Sequence, residues 1–191
     1  TNSAELLFFT NHAQVYKSRA SEFADTKASV LGDYVASKLE MEEGEVPLFM
    51  TVTVDYRGYM LFFYQNGKCA KIPLVSYMTK QNRRKLLKAY SDKEELAAML
   101  HIEEETELAV FTSGGTGGPR LILVGSALIP EKATRDTAGI NMVTLKKNAR
   151  IAKVRPAAGL ELKDPHRYRV RTLPAAGALL RQEDTTEQMS L

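Results

Sequence analysis

The sequence has little cysteine and no long hydrophobic run, and each absence excludes a class of protein. The 191 residues include one cysteine, Cys69, which excludes an internal disulfide and a metal site built from several cysteines, and fits a reducing cytoplasm. No apolar run approaches the ~20 residues that span a bilayer, and no signal peptide opens the chain, so we expect no membrane association. Apolar residues make up 44% and charged residues 26%, which excludes wholesale disorder.

Residues for catalysis and metal binding are also scarce. The three histidines, His12, His101 and His166, are isolated in sequence, and no spacing typical of metal ligands occurs. Cys69 lies in a β-prone run and is interpreted as a small buried residue. The glycine-rich loop 113–119 is not followed by Lys-Ser or Lys-Thr, which argues against a P-loop and favours a mobile insertion. We therefore predict no catalytic residue, metal or cofactor for this chain.

Positive charge is concentrated in one part of the chain. Residues 1–111 hold 13 basic and 16 acidic side chains, and residues 172–191 hold one and three. Residues 112–171, in contrast, hold 12 basic and four acidic side chains. This local excess is a better indication of polyanion binding than the net charge of +3, because the local field attracts the ligand. The alternative interpretation is a basic surface that only keeps the protein soluble.

The sequence repeats itself three times. Each copy opens with two β-prone runs around a turn rich in Asn, Gln or Gly, which is the pattern of a β-hairpin. The hairpins cover residues 6–16, 60–72 and 108–124, and their equivalent phenylalanines are 54 and 48 residues apart. The phenylalanines of these apolar runs are predicted to lie in the core: Phe8, Phe9, Phe62, Phe63 and Phe111.

The second half of each copy has two further runs around a polar turn. These segments, 35–53, 85–102 and 140–154, are each predicted to form a second hairpin. The middle segment alone has helical spacing, but its two equivalents favour strands. Three units of two hairpins predict an all-β array of stacked four-stranded sheets. The predicted ranges are units near 4–54, 55–105 and 106–156, a closing segment at 157–171 and a C-terminal tail at 172–191.

These motifs resemble a known family. Leu-Phe-Phe-Thr, a short polar turn and Val-Tyr-Lys recur in the C-terminal domain of the A subunit of bacterial DNA gyrase and topoisomerase IV. Ile129-Pro130, then Thr134 to Ile140, then Leu145-Lys146-Lys147 recur there as well. The resemblance covers roughly residues 4–156. It implies a propeller-like β-pinwheel of about three to four four-stranded blades that exchange strands, either closed into a ring or left as an open arc.

The resemblance also implies a function. The family's domain binds duplex DNA around its outer rim without sequence preference and bends it, guiding DNA to the catalytic core of an ATP-dependent type IIA topoisomerase. The implied partners are duplex DNA, the remainder of the A subunit and the ATPase B subunit, and the implied location is the bacterial cytoplasm at the nucleoid. Gyrase carries a Gln-Arg-Arg-Gly-Gly-Lys-Gly-like box between hairpins, and the equivalent ranges here, 26–32, 80–85 and 132–139, lack the full box. This departure favours a topoisomerase IV-like or a divergent A subunit.

Clustered and alternating cations indicate where DNA would lie. Five cations fall within residues 80–88, in a connector between hairpins, and others cluster at the turn around Lys147 or alternate along predicted strands. Such side chains neutralise phosphates and carry little sequence information. The predicted DNA-binding residues are Lys80, Arg83, Arg84, Lys85, Lys88, Arg135, Lys146, Lys147, Arg150, Lys153, Arg155, Arg167, Arg169 and Arg171.

The main alternative is a propeller-like protein-interaction module without nucleic-acid binding. Replacement of Arg83, Arg84 and Lys85 separates the two, because it weakens DNA binding only in the first case. Arg167-Tyr168 matches the Arg-Tyr pair with which type IIA topoisomerases cleave DNA, but it lies after the repeats without the surrounding catalytic motif. We therefore interpret this pair as structural.

Overall fold

The structure, a computed structural model, describes residues 3–23, 32, 34–80 and 84–185. Within these residues the chain is almost entirely β, with one α-helical turn, α1 (Val35–Lys38), and several 3-10 turns. The described part of the chain has no helix that is long and apolar enough to span a bilayer. The strands are β1 (Glu5–Thr10), β2 (Val15–Arg19), β3 (Pro47–Thr53), β4 (Tyr59–Tyr64), β5 (Lys68–Pro73), β6 (Lys85–Leu86), β7 (Leu96–Ile102), β8 (Glu107–Gly114), β9 (Arg120–Gly125), β10 (Ile140–Asn141), β11 (Ala149–Pro156) and β12 (Ala178–Leu179).

The strands form three four-stranded antiparallel sheets. Their strand orders are β3-β1-β2-β6 in sheet one, β10-β5-β4-β7 in sheet two and β11-β8-β9-β12 in sheet three. The central pair of each sheet is the predicted hairpin of one repeat. The pairs Phe8↔Tyr16, Phe62↔Ala70 and Val110↔Ile122 occupy equivalent positions. The predicted all-β array with three equivalent hairpins is confirmed.

The fourth strand of each sheet comes from a later segment of the chain. β6 pairs with β2 of sheet one, β10 with β5 of sheet two, and β12 with β9 of sheet three. The prediction of a second hairpin in each repeat is therefore wrong. The two runs of 85–102 and of 140–154 enter different sheets, and the first run of 35–53 is a helical turn. Backbone hydrogen bonds thus link successive repeats, which is the strand exchange of a β-pinwheel.

Three segments test the finer predictions of secondary structure. The middle segment, 85–102, forms β6 and β7, so the prediction of strands there is confirmed. Val35–Lys38, predicted as a strand, is instead a helical turn, in which Val35 and Leu39 pack beside Phe8 on the outer face of sheet one. Ala178–Leu179 lies within the range predicted as a tail, yet it completes sheet three as β12.

The core lies between successive sheets. Phe9 of sheet one meets Phe62 of sheet two with ring centroids 5.8 Å apart, and Phe62 stacks on Tyr90 at 5.2 Å. Phe63 points the other way and packs in a second cluster with Val110 of sheet three. Two adjacent phenylalanines pack against different neighbouring sheets, because neighbouring residues of a strand face opposite sides of the sheet. All five phenylalanines predicted to lie in the core are buried.

The two ends of the array differ. The outer face of sheet three is covered by residues 157–180, with Tyr168 at the centre of that cluster. On sheet one, β3 instead leaves apolar side chains exposed, and Met50, which pairs with Phe8, is 52% exposed. The equivalent Met99 and Val154 are only 9% and 8% exposed, because a neighbouring sheet covers them. In the described part of the chain, β3 therefore presents an uncovered apolar stripe.

Candidate nucleic-acid interface

The basic connector 80–88 lies beside sheet one, where carboxylates neutralise much of its charge. Lys80 is exposed and forms no ion pair with a described residue, and Arg83 lies outside the described residues. The hydrogen bond from Lys85 to a carboxylate raises the pKa of that lysine. The three remaining cations of the connector form ion pairs with acidic residues that are distant in sequence: Arg84 with Glu22 at 3.1 Å, Lys85 with Glu42, and Lys88 with Asp136 at 3.8 Å.

Arg135 makes contacts that tie neighbouring segments together. Its Nη1 donates to the Ser76 carbonyl oxygen at 2.9 Å, and its Nη2 donates to the Leu87 carbonyl oxygen at 3.4 Å. The guanidinium also lies 5.8 Å from the centroid of the Tyr77 ring. These contacts give Arg135 a structural role that its sequence position did not reveal. Its predicted contact with DNA stays a prediction.

The turn that precedes β11 carries cations of a different kind. Lys146, Lys147 and Arg150 are all exposed. Among the described residues, none of their side chains forms an ion pair or a hydrogen bond. Because no carboxylate competes for them, these three cations are available to an external anion. The structure thus brings together one of the predicted clusters in a form suited to phosphate contact.

The other predicted cations of β11 lie along the strand. Lys153 and Arg155 are both part-buried residues of β11, as the sequence predicted. Arg155 Nε and Nη2 donate to the carbonyl oxygens of Pro156 and Ala158 at 3.4 and 3.5 Å. These long contacts leave the charge of the guanidinium uncompensated within the described residues.

The arginines at 167–171 do not lie on a strand, so that prediction is wrong. Pro165–Arg167 forms a 3-10 turn, and Arg169 makes only an isolated parallel bridge with Leu123. Arg169 forms a bidentate pair with Glu107, through Nε at 2.8 Å and Nη2 at 3.2 Å, which raises the pKa of Arg169. Arg167 and Arg171 are exposed and have no ion pair with any described residue.

The three hairpin turns lie at one end of the array, which we call the turn end. The Gln65 N–H donates to the Glu95 carbonyl oxygen at 2.8 Å, and the Ile151 N–H donates to the Gln65 carbonyl oxygen at 3.1 Å. The Ala89 N–H donates to the Ala13 carbonyl oxygen at 2.8 Å. Each hairpin turn is therefore close to the turn that precedes β3, β7 or β11.

Charge changes sign along the turn end. Beside sheet one it is acidic, with Glu42, Glu43 and Glu45 before β3. Beside sheet two it is mixed, and Lys68 there forms an ion pair with Glu94 at 3.0 Å. Beside sheet three it is basic, with the three unpaired cations at 146–150. A duplex that approaches the turn end is therefore attracted at sheet three and repelled at sheet one. The basic excess of residues 112–171 was visible in the sequence, but the alignment of acidic and basic turns at one end depends on which turns the fold brings together.

Glu45 fixes the acidic turn in place. Its Oε1 accepts a hydrogen bond from Thr10 Oγ1 at 2.5 Å, and its Oε2 accepts bonds from Tyr16 Oη at 2.8 Å and the Glu42 N–H at 3.0 Å. Burial raises the pKa of this carboxyl, but the hydrogen bonds outweigh burial and lower its pKa overall. Glu45 is thus a buried, ionised group that holds the turn against β1 and β2.

Replacement of Glu45 by glutamine is expected to lower the free energy of unfolding near neutral pH by about 1–2 kcal/mol, because charge-assisted hydrogen bonds become neutral ones. Since folding lowers the pKa of Glu45, its stabilisation is present above the ordinary pKa of 4.5 and is lost as pH falls through the folded value. Urea unfolding at several pH values should therefore show a shallower acid limb for Glu45→Gln. Glu43→Gln, at an exposed position, is the control. An unchanged acid limb would contradict this assignment.

One group of side chains has the composition of a metal site. The nearest ligand atoms of His12, Glu42 and Glu45 all lie within 4.8 Å of one another. Their oxygens are already occupied, however, by the three donors to Glu45 and by the ammonium of Lys85. The structure explains this group as an internal hydrogen-bond and ion-pair network. The expectation of no cofactor stays a prediction.

Two groups with nucleophilic chemistry are buried. Tyr168 is 1% exposed, and its hydroxyl donates to Asp184 Oδ2 at 2.6 Å. Burial and this carboxylate raise the pKa of Tyr168, so the Arg167-Tyr168 pair includes a core residue. Burial also raises the pKa of the Cys69 thiol. Cys69 is buried, as the sequence predicted, and the absence of a catalytic role for Arg167-Tyr168 stays a prediction.

Comparison with known proteins identifies the fold. No protein-family model and no curated protein matches the chain. The crystal structure of the C-terminal domain of DNA topoisomerase IV superposes on 93% of the chain with a TM-score of 0.75 and 18% sequence identity. The chain has the fold of that domain. The C-terminal domain of DNA gyrase A also superposes on 93% of the chain, with a TM-score of 0.64 and 14% identity.

A third comparison extends the same result. The *E. coli* ParC C-terminal domain covers 95% of the chain with a TM-score of 0.67 and 11% identity. The chain spans 58% of the topoisomerase IV structure, 60% of the gyrase A structure and 78% of the ParC structure. The β-pinwheel architecture implied by the family resemblance is thus confirmed, at identities that establish the fold alone.

Proposed function

We propose that this chain is a DNA-binding accessory domain of a type IIA topoisomerase A subunit. It binds duplex DNA through phosphates, without sequence preference, and bends it. The observation that carries this proposal is the cluster of unpaired cations at the turn end of sheet three, on a fold otherwise found in C-terminal domains of topoisomerase IV and gyrase A. Phosphate contacts supply most of the sequence-independent affinity of such proteins.

Bending follows from the uneven charge of the surface. Cations neutralise phosphates on the side of the duplex that faces sheet three, whereas the carboxylates beside sheet one repel DNA that continues along the turn end. Neutralisation of phosphates on one side of the duplex favours curvature of the DNA toward the protein. The energy cost of bending the DNA is offset by additional contacts with the DNA backbone. Arg155, Arg167 and Arg171, which lack carboxylate partners within the described residues, supply further positive charge on the sheet-three side.

The proposal extends to the parent enzyme. DNA cleavage and ATP hydrolysis belong to other domains, and this chain contributes DNA binding alone. Its further partners are the remainder of the A subunit and the ATPase B subunit, and it works at the nucleoid in the bacterial cytoplasm. The apolar stripe on β3 favours a second candidate, a protein-interaction module, which predicts no duplex binding.

The experiment that separates the two candidates is a salt titration of duplex binding. The intact chain is mixed with labelled duplexes of a few tens of base pairs and of unrelated sequence, and the dissociation constant is measured by fluorescence anisotropy. Three phosphate contacts alone give a log–log slope of about −3, since each contributes about −0.9. We expect a slope at least that steep and equal affinity for all sequences. Absence of binding at low salt would contradict the proposal and favour the interaction module.

A further inference from the structure

The loop between β8 and β9 has backbone geometry unlike that of the other two hairpin turns. Residues Gly114, Gly115, Gly117 and Gly118 all have positive φ, between 73° and 97°. The loop lies at the turn end of sheet three, beside the cations at 146–150. The loop is longer and richer in glycine than the hairpin turns of sheets one and two.

The amide groups of this loop have no hydrogen-bond partner in the described part of the chain. The N–H groups of residues 115–118 donate to no described residue. In each of the other turns, most amides are satisfied internally. The Asn11 N–H donates to the Val46 carbonyl oxygen at 3.1 Å, and the Gly67 N–H donates to the Tyr64 carbonyl oxygen at 3.0 Å. Within the described residues, the turn of sheet three therefore presents the longest run of free backbone donors.

The glycines also place the loop against the lysine turn. A Cβ on Gly114 would lie 2.6 Å from the Asn148 carbonyl oxygen, and one on Gly115 would lie 3.0 Å from the Lys147 carbonyl oxygen. Only glycine permits this close approach of the two backbones. Gly114 and Gly118 also line one surface depression with Lys146, so the free amides lie beside the lysine turn.

We propose that the loop 115–118 and the turn Lys146–Lys147 form a phosphate site for the DNA backbone. Gly115 and Gly117 have positive φ, whereas Thr116 between them does not. Successive amides of such alternating hand form anion-binding concavities, and neighbouring cations strengthen each bond to an ionised oxygen. The site rests on the proposed function, because its ligand is a phosphate of bound duplex. It assigns a role to the glycine-rich loop and places the duplex at one sheet.

A tethered cleavage experiment tests this site. Thr116 is exposed at the tip of the loop, and Cys69 is fully buried, so a cysteine introduced by Thr116→Cys can be labelled selectively. An iron chelate attached there generates hydroxyl radicals that cut nearby DNA. The matched control is His12→Cys, an exposed position in the turn of sheet one. We expect strong cleavage of bound duplex from position 116 and background cleavage from position 12.

The outcomes separate the site from the proposed function. Equal or weaker cleavage from position 116, with the duplex bound, would overturn the site and leave DNA binding standing. Failure of the unlabelled chain to bind duplex would overturn both. Deletion of residues 115–118 is a second test, which keeps both lysines and removes four amides. We expect an affinity loss of about tenfold, the equivalent of one charge-assisted hydrogen bond, whereas Thr116→Ala should bind as the unaltered chain does.

Discussion

Replacement of Gly139 by alanine is expected to destabilise the protein by about 3 kcal/mol, from the combined cost of a left-handed backbone and an overpacked contact. Gly139 has a φ of 75° and precedes β10, the exchanged strand of sheet two. An added Cβ would overlap the Cys69 carbonyl oxygen and lie 2.7 Å from Ala70 Cα. Both obstacles are backbone atoms of β5, so the clash separates β10 from the sheet.

Urea unfolding followed by circular dichroism measures this effect. Gly125→Ala is the matched control, because Gly125 has an ordinary φ and open space around its Cβ position. The control should change the free energy of unfolding by less than about 1 kcal/mol, as expected for a glycine without a special conformation. Equal effects of the two substitutions would show that the exchanged strand contributes little to stability.

The second large effect concerns DNA. Simultaneous replacement of Lys146, Lys147 and Arg150 by alanine is expected to weaken duplex binding about 10²-fold near 0.1 M salt and to reduce the log–log salt slope by about 3, as for the loss of three phosphate contacts. The fold should be retained, because all three side chains are exposed and make no ion pair within the described residues. Fluorescence anisotropy over a salt series measures both quantities.

A matched triple variant controls for net charge. Replacement of Arg84, Lys85 and Lys88 by alanine also removes three positive charges, but these cations already form ion pairs with Glu22, Glu42 and Asp136. Any effect of net charge is therefore common to both variants. We expect the control to lose less than tenfold in affinity. Equal losses would contradict a local interface and indicate that only the long-range field matters.

The repeat was sufficient to predict the sheets but not the strand exchange. Equivalent phenylalanines indicated the three hairpins, because two apolar β-prone runs around a polar turn are a local pattern that is visible in the sequence. Strand exchange depends on two-residue strands such as β6, which carry no periodicity and pair across long stretches of chain. The rule that equivalent segments share a structure was right for residues 85–102 and wrong for Val35–Lys38. In that segment, packing of Val35 and Leu39 beside Phe8 favours a helical turn.

The candidate site was only partly predictable for a similar reason. Basic residues are visible in sequence, but their neutralisation depends on partners far along the chain, such as Glu107 for Arg169, 62 residues away. A lysine is usually expected to be exposed, but the fold can also bury one. Lys71 is 3% exposed, where it forms an ion pair with Glu105 and lies 4.3 Å from the centroid of the Tyr59 ring. Only the fold distinguishes such structural cations from those free to contact DNA.

The location of bound DNA is the central claim, and backbone amide NMR of the intact chain during titration with a short duplex tests it most directly. Amide resonances report each residue without substitution, so the interface is located independently of any variant. We predict shift changes concentrated in residues 113–119 and 145–150, and unchanged resonances in residues 11–14 and 42–46. Shift changes centred on the acidic turn of sheet one, or spread evenly over the three sheets with DNA bound, would contradict this account.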